Sequence, residues 1–166
     1  MNGVLASTFA TPLHAGANLD DCDVLVCIGA LPAETWERLH HRPVVIVVDR
    51  GATATAVTQR YAIRPGTEPA LLHGLANILL AGGWIDRATA SSRIADFDEF
   101  AERVTHFTTD RVCAETGIAS DELWHCAQTI ADGRRVAFFV NQDDEATRTA
   151  QAIDRLAQIT GIIGAP

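Results

Sequence analysis

The chain has 166 residues, enough for one domain with a sizeable core, and 48% of them are apolar against 20% charged, the profile of a globular protein. Its formal charge is −8 and all 13 basic residues are arginine, which disfavours nucleic acid and anionic membrane as partners. The longest apolar run, residues 69–85, is broken by His73 and Asn77 and is too short and polar to span a membrane. The first 17 residues lack the charged start of a signal peptide, so the cytoplasm is the expected location.

Residues 1–20 read as a loop-rich lead-in, interrupted by Pro12, Gly16 and Asn18. From Asp23 the chain becomes almost continuously apolar up to Gly29, as in a parallel strand covered on both faces. A short helix is expected around residues 33–40, after Pro32, and residues 43–49 repeat the buried-strand pattern more strongly. Two such strands flanking a helix predict a right-handed βαβ unit. Residues 51–56 are small and flexible in composition, and Tyr61, Ala62 and Ile63 resume a strand-like run.

Pro65 and Gly66 then make a turn, after which Thr67 or Glu68 can cap a helix whose first turn accepts Pro69 without loss. Leu71, Leu72, Leu75, Ile78 and Leu79 recur at helical spacing, predicting a largely buried helix over residues 70–82. Residues 84–95 read as irregular with a short helical piece, and Phe97, Phe100, Val104 and Phe107 share one face of an amphipathic helix. A helix over 108–115 closes at Gly117. Another starts at Ser120, with Leu123, Trp124, Ala127, Ile130 and Ala131 as its inner stripe, and ends at Gly133. Residues 136–140 form a third buried strand, and 145–160 a last amphipathic helix carrying Ala152, Ile153, Leu156 and Ile159 inward. The fold class is therefore α/β, helix-rich, with a small mostly parallel sheet flanked by helices. In such sheets ligands bind beyond the carboxyl ends of the strands. Those tips are residues 29–32, 49–53, 64–68 and 141–145.

The residues by themselves announce no reaction. Cys22, Cys27, Cys113 and Cys126 show neither paired nor zinc-finger spacing and read as buried thiols. Gly29 to Pro32 lacks the glycine spacing of a nicotinamide site. His40 and His41 suit a solvated surface, and His73 and His125 suit helix positions. Asp143, Asp144 and Glu145 charge a helix start favourably, with a divalent-cation site as the alternative. Glu68 at the head of a buried helix fits either a capped helix or a polar ligand.

Taken together, several stretches resemble the molybdopterin oxidoreductase family. The run from Asp23 through Gly29 to Pro32, Ala33 and Glu34 resembles its first strand and turn, and Val45 to Arg50, with Thr53 and Ala56, its second. Ile63-Arg64-Pro65-Gly66-Thr67-Glu68-Pro69-Ala70-Leu71 resembles the family's proline-glycine-threonine-acid signature. Trp84-Ile85-Asp86, Thr116-Gly117-Ile118 and the run from Leu156 to Gly164 resemble later segments in the same order. The family includes formate dehydrogenases, nitrate reductases, the large peripheral subunit of complex I and the B subunit of formylmethanofuran dehydrogenase.

The resemblance implies a Rossmann-like domain over residues 1–166 that embraces one molybdopterin guanine dinucleotide. By the same resemblance Glu68 bonds the guanine edge from a turn that includes Gly66 and Thr67, while Gly29, Ala30, Pro32, Glu34, Asp49 and Arg50 line the nucleotide. It implies no catalytic residue and no metal ligand here: the iron–sulfur cysteine cluster, the metal-binding side chain and the C-terminal dinucleotide domain of full-length members are expected to be absent. Other oxidoreductase subunits would then supply the metal ligand and the iron–sulfur domain. Four departures bear on the site. Leu31 replaces an asparagine, Asp49-Arg50-Gly51 replaces Asp-Pro-Arg, three carboxylates follow the third strand, and Glu68 is one methylene longer than the usual aspartate. The first expectation is a partial cofactor domain of formate-dehydrogenase type acting within a complex. The alternatives are a cofactor-free structural subunit of a complex I-like or formyltransferase/hydrolase-type assembly, and an independent small nucleotide-binding protein. Either subunit reading predicts self-association of the isolated domain.

Overall fold

A computed structural model describes residues 15–16, 19–29, 33–39, 41–49, 57–140 and 146–161. In chain order the elements are β1 (Ala15–Gly16), β2 (Val24–Ile28), α1 (Ala33–Arg38), β3 (Val44–Asp49), β4 (Gln59–Ala62), α2 (Glu68–Ala81), α3 (Arg87–Arg93), α4 (Phe97–Val104), α5 (Thr109–Thr116), α6 (Ser120–Asp132), β5 (Val136–Val140) and α7 (Ala146–Thr160).

The sheet runs β1-β5-β2-β3-β4. Its four main strands are parallel, with Val24 opposite both Val44 and Val136, and Asp49 opposite Ala62. β2 throughout, and β3 up to its terminal Asp49, are apolar because both faces are covered, as their sequences predict. β4 buries Tyr61 but exposes Arg60 and Ala62, as befits an edge strand.

The strand order explains where the helices go. From β2 the chain steps outward to β3 and β4, then returns across the sheet to β5 on the far side of β2. A right-handed crossover in one direction puts its connection on one face, and a crossover in the opposite direction uses the other face. Accordingly Trp36 and Leu39, at α1, pack with Leu25, Cys27, Val45 and Val47. Helices α2, α4, α5, α6 and α7 cover the opposite face, where Val24, Val26, Ile46 and Val48 point.

α2 lies at the centre of the helical layer, with nine of its fourteen residues buried. It approaches α5 closely at Gly74, where an added Cβ would stand 2.5 Å from a methyl of the buried Val112. Asn77 Nδ2 adds a tie to the Phe107 carbonyl at 3.2 Å, just before α5. Helix ends follow their local chemistry. Asp86 accepts from the Ala88 and Thr89 amides to start α3, and the Thr89 hydroxyl, which also donates to it, together with these amides holds its carboxyl below the usual range. Gly117 takes a φ of +82° to end α5.

Three expectations are corrected. Part of the lead-in is structured: Ala15 and Gly16 pair antiparallel with Phe138 and Ala137 at the open edge of β5, a two-residue pairing too short to leave a sequence pattern. Trp124 does not belong to the inner stripe of α6. Leu123, Cys126, Ala127 and Ile130 fill that stripe, while Trp124 is 44% exposed and meets Trp84 edge-on at 6.5 Å. Neither expected cap at the start of α2 takes the form foreseen. Thr67 occupies the capping position but makes no side-chain cap, and Glu68 is the first helical residue.

All four cysteines are free thiols. Burial pushes Cys22 up to about 11 and Cys126 up to about 12, and raises Cys27 and Cys113 as well, so these groups stay protonated at neutral pH.

Candidate functional site

Parallel pairing brings the carboxyl ends of β2, β3 and β4 to one edge of the sheet, side by side. Gly29 follows β2 with a φ of +94° and donates its amide to the Val48 carbonyl at 2.8 Å. Asp49 ends β3, and its carbonyl accepts from the Ile63 amide at 3.1 Å. The turn after β4 continues the row. With strands about 4.8 Å apart, the three tips span roughly 10 Å.

That turn is built by its own residues. Pro65 and Gly66 are its central pair, Gly66 has a φ of +78°, and the Thr67 amide donates to the Arg64 carbonyl at 3.3 Å. Proline second and a left-handed glycine third define a type II turn. The Thr67 hydroxyl also turns back to the Arg64 carbonyl, at 2.6 Å, which is why it is not directed at the helix amides. Helix α2 begins immediately afterwards with half-buried Glu68 and then Pro69. A carboxylate is favourable at this positive end.

Asp49 is held. Only 7% of it is exposed, and Arg60 grips both carboxylate oxygens, from Nη2 at 2.8 and 3.0 Å and from Nε at 3.3 Å. Alternation along β4 puts Arg60, opposite Val47, on the same sheet face as Asp49. Arg60 was not singled out from sequence, since its relation to Asp49 depends on strand register. Glu34 is exposed in the first turn of α1, on that same side of the sheet. The structure thus sets Gly29, Asp49, Gly66, Thr67 and Glu68 along one edge. Ala30, Leu31, Pro32, Arg50, the 51–56 run and the acidic residues Asp143, Asp144 and Glu145 lie outside the described residues. Among the described residues no cluster of three or more His, Cys, Asp or Glu side chains could hold a metal, and no helix is long and apolar enough to cross a membrane.

Sequence reading also passed over a cleft of about 420 Å³ between α2, α4 and α7, lined by residues that include His73, Phe100, Arg103 and Asp154. The His73 ring stacks on Phe107 at 4.7 Å, and Nδ1 is buried without a hydrogen bond of normal geometry. Burial lowers the pKa of His73; the Pro69 carbonyl one turn back opposes the shift, and Arg103 adds to it. The unfolded chain therefore takes up this proton first as pH falls below about 6.5, so the stabilising contribution is complete above that pH and is lost below it. His73→Phe is expected to flatten the loss of melting temperature between neutral and mildly acidic pH. An unchanged pH slope in the variant would move that role to another group.

No protein-family model matches the chain. A nitrate reductase of Synechocystis sp. is 28% identical over 157 residues, 91% of this chain and 22% of the relative. Formate dehydrogenase H of Escherichia coli is 24% identical over 89% of this chain and 23% of the relative. The menaquinone reductase, molybdopterin-binding-like subunit of Nitratidesulfovibrio vulgaris is 30% identical over 77% of this chain and 20% of the relative. Among solved structures, acetylene hydratase from Pelobacter acetylenicus superposes with a TM-score of 0.72 over 96% of this chain and 24% of the hydratase, at 23% identity. The chain therefore spans less than a quarter of the length of these relatives, whose names include two reductases, a dehydrogenase and a hydratase. With sequence similarity across about nine tenths of its length, the protein belongs to the molybdopterin oxidoreductase family.

Proposed function

We propose that this chain forms one side of a binding site for molybdopterin guanine dinucleotide and works within a larger oxidoreductase of formate-dehydrogenase type. The observation that carries this reading is the Arg64–Thr67 turn, which delivers Glu68 half-buried onto the first turn of α2 at the carboxyl edge of the sheet. The Watson–Crick edge of guanine offers two adjacent donors, N1–H and the 2-amino group, and a carboxylate is their natural acceptor. Gly29, Gly66 and Thr67 border the same edge with small side chains or a short hydroxyl, leaving room for a nucleotide. Ala30, Pro32, Glu34 and Arg50 complete the proposed lining. When bound, such a cofactor supplies the metal and its redox chemistry. The part played by this chain is to hold and orient the nucleotide end, while partner subunits provide the metal ligand and iron–sulfur domain. A cytoplasmic location belongs to the same reading.

One observation favours a second reading, in which the domain is a cofactor-free structural subunit. The Asp49 carboxylate, expected to face a nucleotide, is gripped by Arg60. One of the relatives is itself described as a molybdopterin-binding-like subunit.

The test is pterin analysis of the complex purified with its native partners. Wild type is expected to release a guanine-bearing pterin, and Glu68→Ala to reduce it by about tenfold or more, as loss of a charge-assisted bidentate contact implies. An intact complex without pterin in the wild type would replace the first reading with the second.

A further inference from the structure

The turn that presents Glu68 is fastened to a helix some fifty residues further along the chain. Arg64 Nη1 donates to the carbonyls of Ala114 at 2.5 Å and Glu115 at 3.2 Å, and the Arg64 amide donates to the Thr116 carbonyl at 2.8 Å. These are carbonyls of the last turn of α5, which have no partner within their own helix, and a guanidinium there also meets the negative end of the helix dipole. Gly117, needed for the φ of +82° that ends α5, lies beside the Arg64 side chain, where even a Cβ would stand at an ordinary contact distance of 3.7 Å from the guanidinium carbon. On its other side the Arg64 carbonyl closes the turn by accepting from the amide and the hydroxyl of Thr67.

α5 is fixed against α2 as well. Val112 abuts Gly74, and Asn77 reaches the Phe107 carbonyl. α2 is thus splinted at three points, by α5 at the turn before it and at Gly74, and by the Phe107 carbonyl just ahead of α5 at Asn77. Glu68 lies between the first two.

We propose that Arg64 is a positioning residue: by capping α5 it sets the turn and the first residue of α2, so that recognition of a guanine-bearing ligand depends on Arg64 through α5 rather than through contact with the ligand. This rests on the proposed role of Glu68, and the test separates the two. Amide hydrogen exchange and calorimetric binding of guanosine and guanosine diphosphate are measured on the full 166-residue chain for wild type, Arg64→Ala and the milder Arg64→Gln. Arg64→Ala is expected to speed exchange across residues 66–71 about tenfold or more while the amides of β2, β3 and β5 keep their protection. It is expected to weaken guanosine and guanosine diphosphate by the same factor, about tenfold, with Arg64→Gln intermediate because its amide can still reach one carbonyl.

Unchanged exchange over 66–71 would overturn the proposal, as would unchanged binding in a variant whose exchange has risen. Weakening confined to the diphosphate would also overturn it, since that marks direct contact with phosphate. Failure of wild type to bind either probe would count against the role given to Glu68. The exchange pattern would then decide the anchoring by itself.

Discussion

Leu75→Ala is expected to destabilise the chain by about 2–5 kcal/mol, the range for emptying a fully buried leucine site. Leu75 has no exposed surface, and its helix packs against α4, α5, α6 and α7. How much of the range is realised depends on whether neighbours can move into the space. Here α2 cannot shift towards α5, because its backbone at Gly74 already meets Val112. The splint from Arg64 to α5 restricts it further. The upper half of the range is therefore expected, read as a fall in denaturant midpoint with an unchanged slope. A loss below about 1 kcal/mol would mean that α2 is not the rigid centre of the helical layer.

The second large effect is at the tip of β3. Arg60→Ala removes the guanidinium that neutralises a carboxylate with only 7% of its surface in water. Breaking a fully buried pair from one side costs about 3–5 kcal/mol, but Arg60 is itself 36% exposed and water reaches its end of the bridge, so roughly 1–3 kcal/mol is expected. Asp49→Asn should cost less, since it leaves an uncharged side chain of the same shape beside an arginine that solvent can reach. A double-mutant cycle in urea measures the difference. Equal costs for the two single variants would show that the burial of Asp49 carries no electrostatic penalty.

The layout of strands and helices was legible because it rests on runs of one chemical type. Three stretches without a polar interruption can only be strands covered on both faces, and Leu71, Leu72, Leu75 and Leu79 recur at a helical period. The Pro65-Gly66 turn was legible for a related reason, since its backbone demands those two residues. What could not be read depends on relations between distant residues. Arg60 meets Asp49 only once β4 is registered against β3, and Arg64 finds its carbonyls on a helix that no local pattern connects to it. Trp124 misled because an apolar side chain one residue beyond a stripe reads like part of it. Ala15 and Gly16 gave no signal, being two small residues recruited by an open strand edge.

The position of β5 has a consequence for how the chain is made. β2 leaves the ribosome well before its second neighbour: Arg135, at the threshold of β5, bonds to Asp23 across 112 positions. During that interval one edge of the wholly apolar strand β2 has no partner strand, with α2 to α6 emerging in between. Closing so distant a pair is slow because the entropy of the loop is lost before the contacts form. The helical layer can assemble meanwhile, since α2, α4, α5 and α6 precede β5 and contact one another locally. The chain should therefore be most prone to aggregation as a nascent or refolding species that has its helices but not yet its closed sheet.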